Sequence, residues 1–165
     1  MTPVTSPVAA GLRFRDRVRT RSGSVALLVF RVGAERFALE LRAVEEVVEH
    51  PDVRPVPGTG AGVLGMFRHG DRLLSLYDPA PILGVAAVGN VSALVLRAGS
   101  RRLGLAVDEV EDVTTRDFVA LRSPPDDMGD DILVGVLIKE PTLVGVLDAR
   151  ALSTACLAGP VPSDL

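Results

Sequence analysis

Apolar positions along this chain fall in short unbroken runs, not in helical stripes. Residues 25–32 (VALLVFRV) are aliphatic and β-branched, Gly33-Ala34-Glu35-Arg36 follows, and Phe37-Ala38-Leu39 resumes the apolar pattern. Two such runs around a short Gly-containing turn predict a β-hairpin. Residues 91–98, Gly99-Ser100-Arg101-Arg102 and 103–107 repeat the arrangement. A second pair of hairpins is predicted at 63–67 with 73–77, around Arg68-His69-Gly70-Asp71, and at 134–138 with 143–147, around Lys139-Glu140-Pro141-Thr142. Between them, Val44/Val47 and Val110/Val113 recur at i and i+3. That spacing suits a short helix, or an irregular turn followed by a strand. Asp78-Pro79 places an N-capping side chain before a proline at the first helical position, so a short helix is expected to about Leu83, before Gly84. Asp148 caps a second one over 149–157, which Gly159-Pro160 stops.

The pattern is a duplication. Sliding the chain by 66 residues places 25–49 on 91–115 with ten of 25 positions identical, among them Leu28/Leu94, Val29/Val95, Gly33/Gly99, Leu39/Leu105 and Val44/Val110. At an offset of 70, 63–78 falls on 133–148 with Gly65/Gly135, Leu73/Leu143 and Asp78/Asp148 coincident. Each unit holds four or five short strands and one short helix in about 65 residues, which suggests a small barrel. Such a barrel buries little surface alone, so the two are expected to pack together. The organisation read from the chain is a basic, flexible N-terminal arm (1–24), a first β-barrel subdomain (25–90), a second (91–157) and a C-terminal tail (158–165).

Charge narrows the class. The chain has 165 residues, with 18 Lys+Arg against 21 Asp+Glu and a net charge of −3, which argues against a generic nucleic-acid binder. The positive charge is concentrated in the arm, where Arg13, Arg15, Arg17, Arg19 and Arg21 face Asp16 alone. An arm of this kind reads as a flexible tail, as one face of a strand, or as an electrostatic contact for an acidic partner. Trp is absent and Cys156 is the single cysteine, so the core is aliphatic and no intramolecular disulfide forms. No apolar run approaches the ~18 residues of a membrane span, and a cytoplasmic location is expected.

Candidate chemistry is sparse. His50 and His69 sit beside turn residues with no nucleophile and orienting acid to complete a catalytic set, and no catalysis is expected. Gly60-Ala61-Gly62-Val63-Leu64-Gly65 matches GxGxxG, but Pro55-Val56-Pro57 precedes it and a hairpin follows, where a dinucleotide site needs a strand and then a helix. It reads as a connector. Asp108, Glu109, Glu111 and Asp112 read as a solvated face and not a metal site, because a metal needs carboxylates converging from more than one element. The acidic stretch 124–131 lacks calcium-loop spacing. Cys156, among Ala and Leu, reads as a buried core residue. No cofactor is expected.

The duplicated pattern resembles the CheW family of chemotaxis coupling proteins and the CheW-like regulatory domain of chemotaxis histidine kinases. The matching stretches are 27–49, 54–65, 73–84, 94–113, LRSPP (121–125) and LVGVLDARAL (143–152). The resemblance implies a mainly β fold of two tandem SH3-like five-stranded barrels that share the first strand. It implies a non-catalytic adaptor in two-component signal transduction, joining the cytoplasmic tip of a chemoreceptor to the regulatory domain of a chemotaxis kinase. Receptors would bind in a groove between the barrels and the kinase on the end of one barrel. By this resemblance Val44 and Glu46 are groove positions, with Val95 and Val113 as further candidates. The family's Asn-Leu-Arg-Gly turn falls on Arg68, His69, Gly70 and Asp71, so its arginine has become Gly70, and a proline of the family's connector has become Gly60. The alternative this raises is a divergent paralogue that has lost receptor or kinase binding and uses its arm for another acidic partner, such as the nucleoid or DNA.

Overall fold

A computed structural model describes residues 13–60, 62–89, 91–124 and 131–158. Among these residues are ten strands, eight of which follow the four predicted hairpins closely. The first repeat supplies β1 (Ser24–Val32), β2 (Glu35–Glu40), β3 (Val44–Glu49), β4 (Val63–His69) and β5 (Arg72–Tyr77). The second supplies β6 (Ser92–Ala98), β7 (Arg101–Val107), β8 (Glu109–Asp117), β9 (Leu133–Lys139) and β10 (Thr142–Leu147). The i, i+3 valines lie on strands: a single turn of 3-10 helix at Leu41–Ala43 leads into β3. The described residues also form three short α-helices, α1 (Phe14–Thr20), α2 (Ala80–Leu83) and α3 (Ala149–Ala158). The caps are those expected: Asp78 Oδ1 accepts from the Ala80 amide at 2.9 Å, and Asp148 Oδ1 from Arg150 and Ala151 at 2.9 and 3.2 Å. Gly84, at φ 71°, ends α2.

The two five-stranded sheets do not follow the sequence halves. Their strand orders are β8-β1-β2-β10-β9 and β3-β6-β7-β5-β4. Each repeat therefore gives its first hairpin to one sheet, and its third strand and second hairpin to the other. The boundary between 25–90 and 91–157 marks the duplication but cuts through both sheets. Nor is β1 shared. It pairs with β2 and β8 inside one sheet, and the chain crosses between sheets at the β2–β3 and β7–β8 junctions. The sheet holding β1 is called barrel A and the other barrel B. Each curls toward closure through one further bridge, Arg122 to Val136 in barrel A and Arg54 to Met66 in barrel B. These bridges explain the repeated glycine on β4 and β9. A Cβ on Gly65 would lie 2.5 Å from the Arg54 carbonyl oxygen, and one on Gly135 would lie 3.4 Å from that of Arg122.

The core has three parts. Between the barrels, Leu28, Phe30, Phe37 and Leu39 of β1–β2 join Leu94, Leu96, Leu103 and Leu105 of β6–β7, four pairs at the 66-residue offset. Alternate residues of the same strands face the barrel interiors: Leu27, Val29 and Ala38 in barrel A, Ala93, Val95 and Ala106 in barrel B. These two hairpins are buried on both faces, and that is why they read as continuous apolar runs.

The arm departs from expectation. Of its described residues, 14–20 form a helix docked on barrel A. Phe14 is buried against Phe118, with ring centroids 6.1 Å apart, and the Arg17 guanidinium lies 5.6 and 5.8 Å from the two ring centres. Arg17 also pairs with Glu40, which Arg42 engages from the other side at 3.1 Å. Burying Phe14 and Val18 against Phe118 and the barrel's apolar residues outweighs the freedom the segment loses. The rest of the arm and the tail, residues 1–12 and 159–165, lie outside the described residues.

Candidate functional site

Residues opposite one another in an antiparallel pair share a face of the sheet. On β3, Val44 pairs with Leu96 and Val47 with Leu94, so both valines point toward the seam between the barrels. Glu46 pairs with Val95 and lies on the barrel side, where its carboxylate meets His69 Nε2 at the end of β4. On β8 the pattern recurs. Val110 and Val113 pair with Phe30 and Leu28 on the seam side, and Asp112 receives the Lys139 ammonium at 2.7 Å from the end of β9. Glu46–His69 and Asp112–Lys139 are thus corresponding side-chain contacts in the two repeats. Each ties a five-stranded sheet's first edge to its last.

Five of the seven residues singled out from the sequence come together at the edge of barrel B. Val44 is half-buried and packs on the seam core, Glu46 and His69 touch, and Arg68 and Gly70 stand on the adjoining hairpin. Val113 belongs to the other sheet, at the matching edge of barrel A, and is 50 % exposed. Val95 is a correction. It is 0 % exposed inside barrel B and reaches no partner, because its register opposite Glu46 turns it to the barrel interior. Gly70 sits at φ 64° with nothing among the described residues within 4 Å of an added Cβ, so the turn is open but demands a left-handed backbone.

One feature of this surface escaped the sequence reading. Ile138 and Leu143 are register partners across β9–β10 and are 48 % and 62 % exposed. Their counterparts on barrel B are Arg68 and Leu73, also register partners. The signal was present in the 70-residue offset, which sets an apolar residue against an arginine at the tip of an otherwise matching hairpin.

The charged face on β8 is engaged by cations and amides. Glu109 meets Arg31 and Glu111 meets Arg36, while Asp108 accepts from the Gly33 and Gly89 amides. No group of three metal-ligating side chains forms among the described residues. The GxGxxG glycines lead into β4, and no helix starts there. Gly60 and Gly62 rim a mostly apolar cleft of about 380 Å³ that Tyr77, Ile82 and Cys156 help to line. Burial, with the Asp78 carboxylate nearby, pushes the Cys156 thiol up to about 11. A thiol held neutral is a poor nucleophile. Native Cys156 should therefore react with a disulfide reagent at pH 8 at least ~tenfold more slowly than in the unfolded chain. Equal rates by absorbance would place the thiol outside the core. Glu45 moves the other way: its hydrogen bond to Arg102, with Arg97 alongside, lowers its carboxyl below the usual range.

The family model for the CheW-like domain matches residues 26–156. The chain belongs to the CheW family. Curated relatives agree: it is 30 % identical over 112 residues to the chemotaxis protein CheW of Rhizobium meliloti, covering 66 % of this chain and 72 % of that one. The CheW of Treponema pallidum is 24 % identical over 136 residues, 76 % of this chain and 80 % of that one. The crystal structure of the scaffolding protein TtCheW from Thermoanaerobacter tengcongensis superposes with a TM-score of 0.70 at 18 % identity, over 79 % of this chain and 92 % of that chain. This CheW-family chain has the mainly β, two-barrel fold and is a chemotaxis scaffold, consistent with a role without catalysis. Among the described residues no helix is long and apolar enough to cross a membrane.

Proposed function

We propose that this CheW-family protein couples the cytoplasmic tip of a chemoreceptor to the CheW-like regulatory domain of a chemotaxis histidine kinase, in the cytoplasm and within receptor arrays. The observation that carries the reading is the edge of barrel B: valines on the seam side of β3 and a Glu46–His69 pair beside an open hairpin turn. That is a surface to be recognised, with no reacting group in it. The exposed Ile138–Leu143 pair on barrel A suits the apolar docking of a second partner, since clustered exposed aliphatic side chains mark contact surfaces. Titrating the full chain against receptor tips and kinase regulatory domains from its own organism tests the reading. Saturable binding to both supports coupling. Binding to neither overturns it.

The arm gives little support to nucleic acid as its target. Arg17 is half-buried against Phe14, Phe118 and Glu40, and Arg15 meets Asp131 at 2.8 Å.

Gly70 supplies a sharper check. Gly70→Arg places the family's cation on an unobstructed turn, at a cost of about 1–2 kcal/mol for a side chain in the left-handed region. The expected result is tighter receptor binding by a less stable protein, measured by calorimetry alongside thermal melting. Unchanged affinity in a folded variant would remove this turn from the receptor surface. Val44 is the wrong place for such a test, because a charge there would also disturb the seam core.

A further inference from the structure

The β1–β2 and β6–β7 hairpins turn in the same way, with Gly33 at φ 61° and Gly99 at φ 63°. Their surroundings differ. The Gly33 turn is covered by Val85-Ala86-Ala87-Val88-Gly89, the connector that follows α2. A Cβ on Gly33 would lie 3.0 Å from the Ala86 carbonyl oxygen and 3.3 Å from the Ala86 Cβ. Val85 and Val88 pack on the seam core. The Asp108 carboxylate ties the two together, accepting from the Gly33 amide at 2.6 Å and from the Gly89 amide at 2.7 Å. The cover is a short extended segment of small apolar residues, clamped by one carboxylate.

At the Gly99 turn nothing among the described residues comes within 4 Å of an added Cβ. A cleft of about 430 Å³ opens there, with Phe14, Ala43, Ala98 and Ala149 supplying apolar walls. The position that corresponds to Asp108 in the other repeat is Arg42, which is turned to Glu40. So the clamp that holds the cover on Gly33 has no counterpart in this repeat. The lining brings cations in its place, Arg13, Arg97 and Arg150. Of the acids beside them, Glu40 is engaged by Arg17 and Arg42, and Asp148 by capping α3. Arg97 pairs with Glu45, while Arg13 and Arg150 have no ion-pair partner among the described residues.

We propose that this cleft is a docking site for an extended segment of a partner protein, one that carries small apolar side chains and its own carboxylate. The segment lies on the Gly99 turn as Val85-Ala86-Ala87-Val88-Gly89 lies on the Gly33 turn, and its carboxylate meets Arg13 and Arg150. The shape comes from the covered repeat and the charge from Arg13 and Arg150. The proposal does not rest on receptor or kinase coupling.

The test is a titration of the isotope-labelled full chain with the peptide acetyl-Val-Ala-Ala-Val-Asp-amide, followed by NMR. The expected result is saturable shifting of the Gly99 and Ala98 amides and of the Arg13 and Arg150 guanidinium signals, with dissociation in the millimolar range typical of so short a ligand. A peptide with Asn for Asp should bind about tenfold more weakly, and so should the Arg150→Glu protein, since each removes a charge-assisted hydrogen bond. No saturable shift at Gly99, or equal binding of the Asn peptide, overturns the proposal. If Gly99 responds only after residues 1–12 or residues 159–165 are deleted, the chain's own terminal segment is the occupant, and the proposal is overturned in favour of an internal cover.

Discussion

Phe14→Ala is expected to lose about 3 kcal/mol of stability, at the lower end of the range for a buried phenylalanine because the ring lies at the barrel's rim. For a chain of this size that lowers the melting temperature by on the order of 10 °C. The ring closes barrel A over Phe118, Val25 and Leu137, and it holds the Arg17 guanidinium between two aromatic faces beside Glu40. Removing it exposes all of these together. Arg19→Ala, on the exposed side of α1, should stay within about 0.5 kcal/mol of the wild type. Urea denaturation with an unchanged slope checks both. A Phe14→Ala protein as stable as Arg19→Ala would mean that α1 does not belong to the folded unit.

The second large effect is expected inside barrel B. Gly104→Ala would set its Cβ 2.4 and 2.8 Å from the Phe67 ring and 3.1 Å from Leu76. Phe67 is almost fully buried and has no free space to move into. Overpacking of this kind costs about 1–3 kcal/mol. Barrel A meets the same problem the opposite way, with Ala38 and Leu137 at the equivalent positions and Phe14 and Phe118 supplying the missing volume. Phe67→Leu in the Gly104→Ala background should therefore recover stability. A double-mutant cycle should show favourable coupling of about 1 kcal/mol or more. Additive losses would show that the two sites do not share one packing constraint.

These experiments bear on how the duplicated fold uses its sequence. The repeats supply the same strands in the same order, and some of their differences fall where one barrel needs something the other lacks: Gly104 with Phe67 in place of Ala38 with Leu137, Arg42 in place of Asp108, Arg68 in place of Ile138. The edge pairs make the same point. Glu46–His69 and Asp112–Lys139 close equivalent barrels, one through an imidazole and the other through an ammonium.

Local physics made much of this legible in advance. A hairpin is set by a turn glycine between two apolar runs, and a short helix by an aspartate that caps it. Both signals lie within a few residues, so the eight hairpin strands and two of the three described helices stood close to where the chain indicated them, while β3 and β8 were left open between helix and strand. The helix of the arm was hidden. Arginines at every second position gave α1 a period of two, which masked Phe14 and Val18 at i and i+4.

Other features depend on contacts between residues far apart in the chain, and only the tertiary structure decided them. The sequence shows that 25–49 and 91–115 are the same unit. It cannot show that β3 pairs with β6 and β8 with β1, because strand alternation is satisfied equally by a partner from the same repeat or the other. Val44 and Val95 looked alike as candidates, yet register turned one toward the seam and the other into the barrel. Glu46 and His69, 23 residues apart, became a pair only when β3 and β4 were brought to the two ends of one sheet. By itself, then, the sequence determined the elements, their caps and the duplication, since these follow from neighbours along the chain. The exchange of strands, the docking of the arm and the make-up of the exposed surface were decided by which faces could be buried at once.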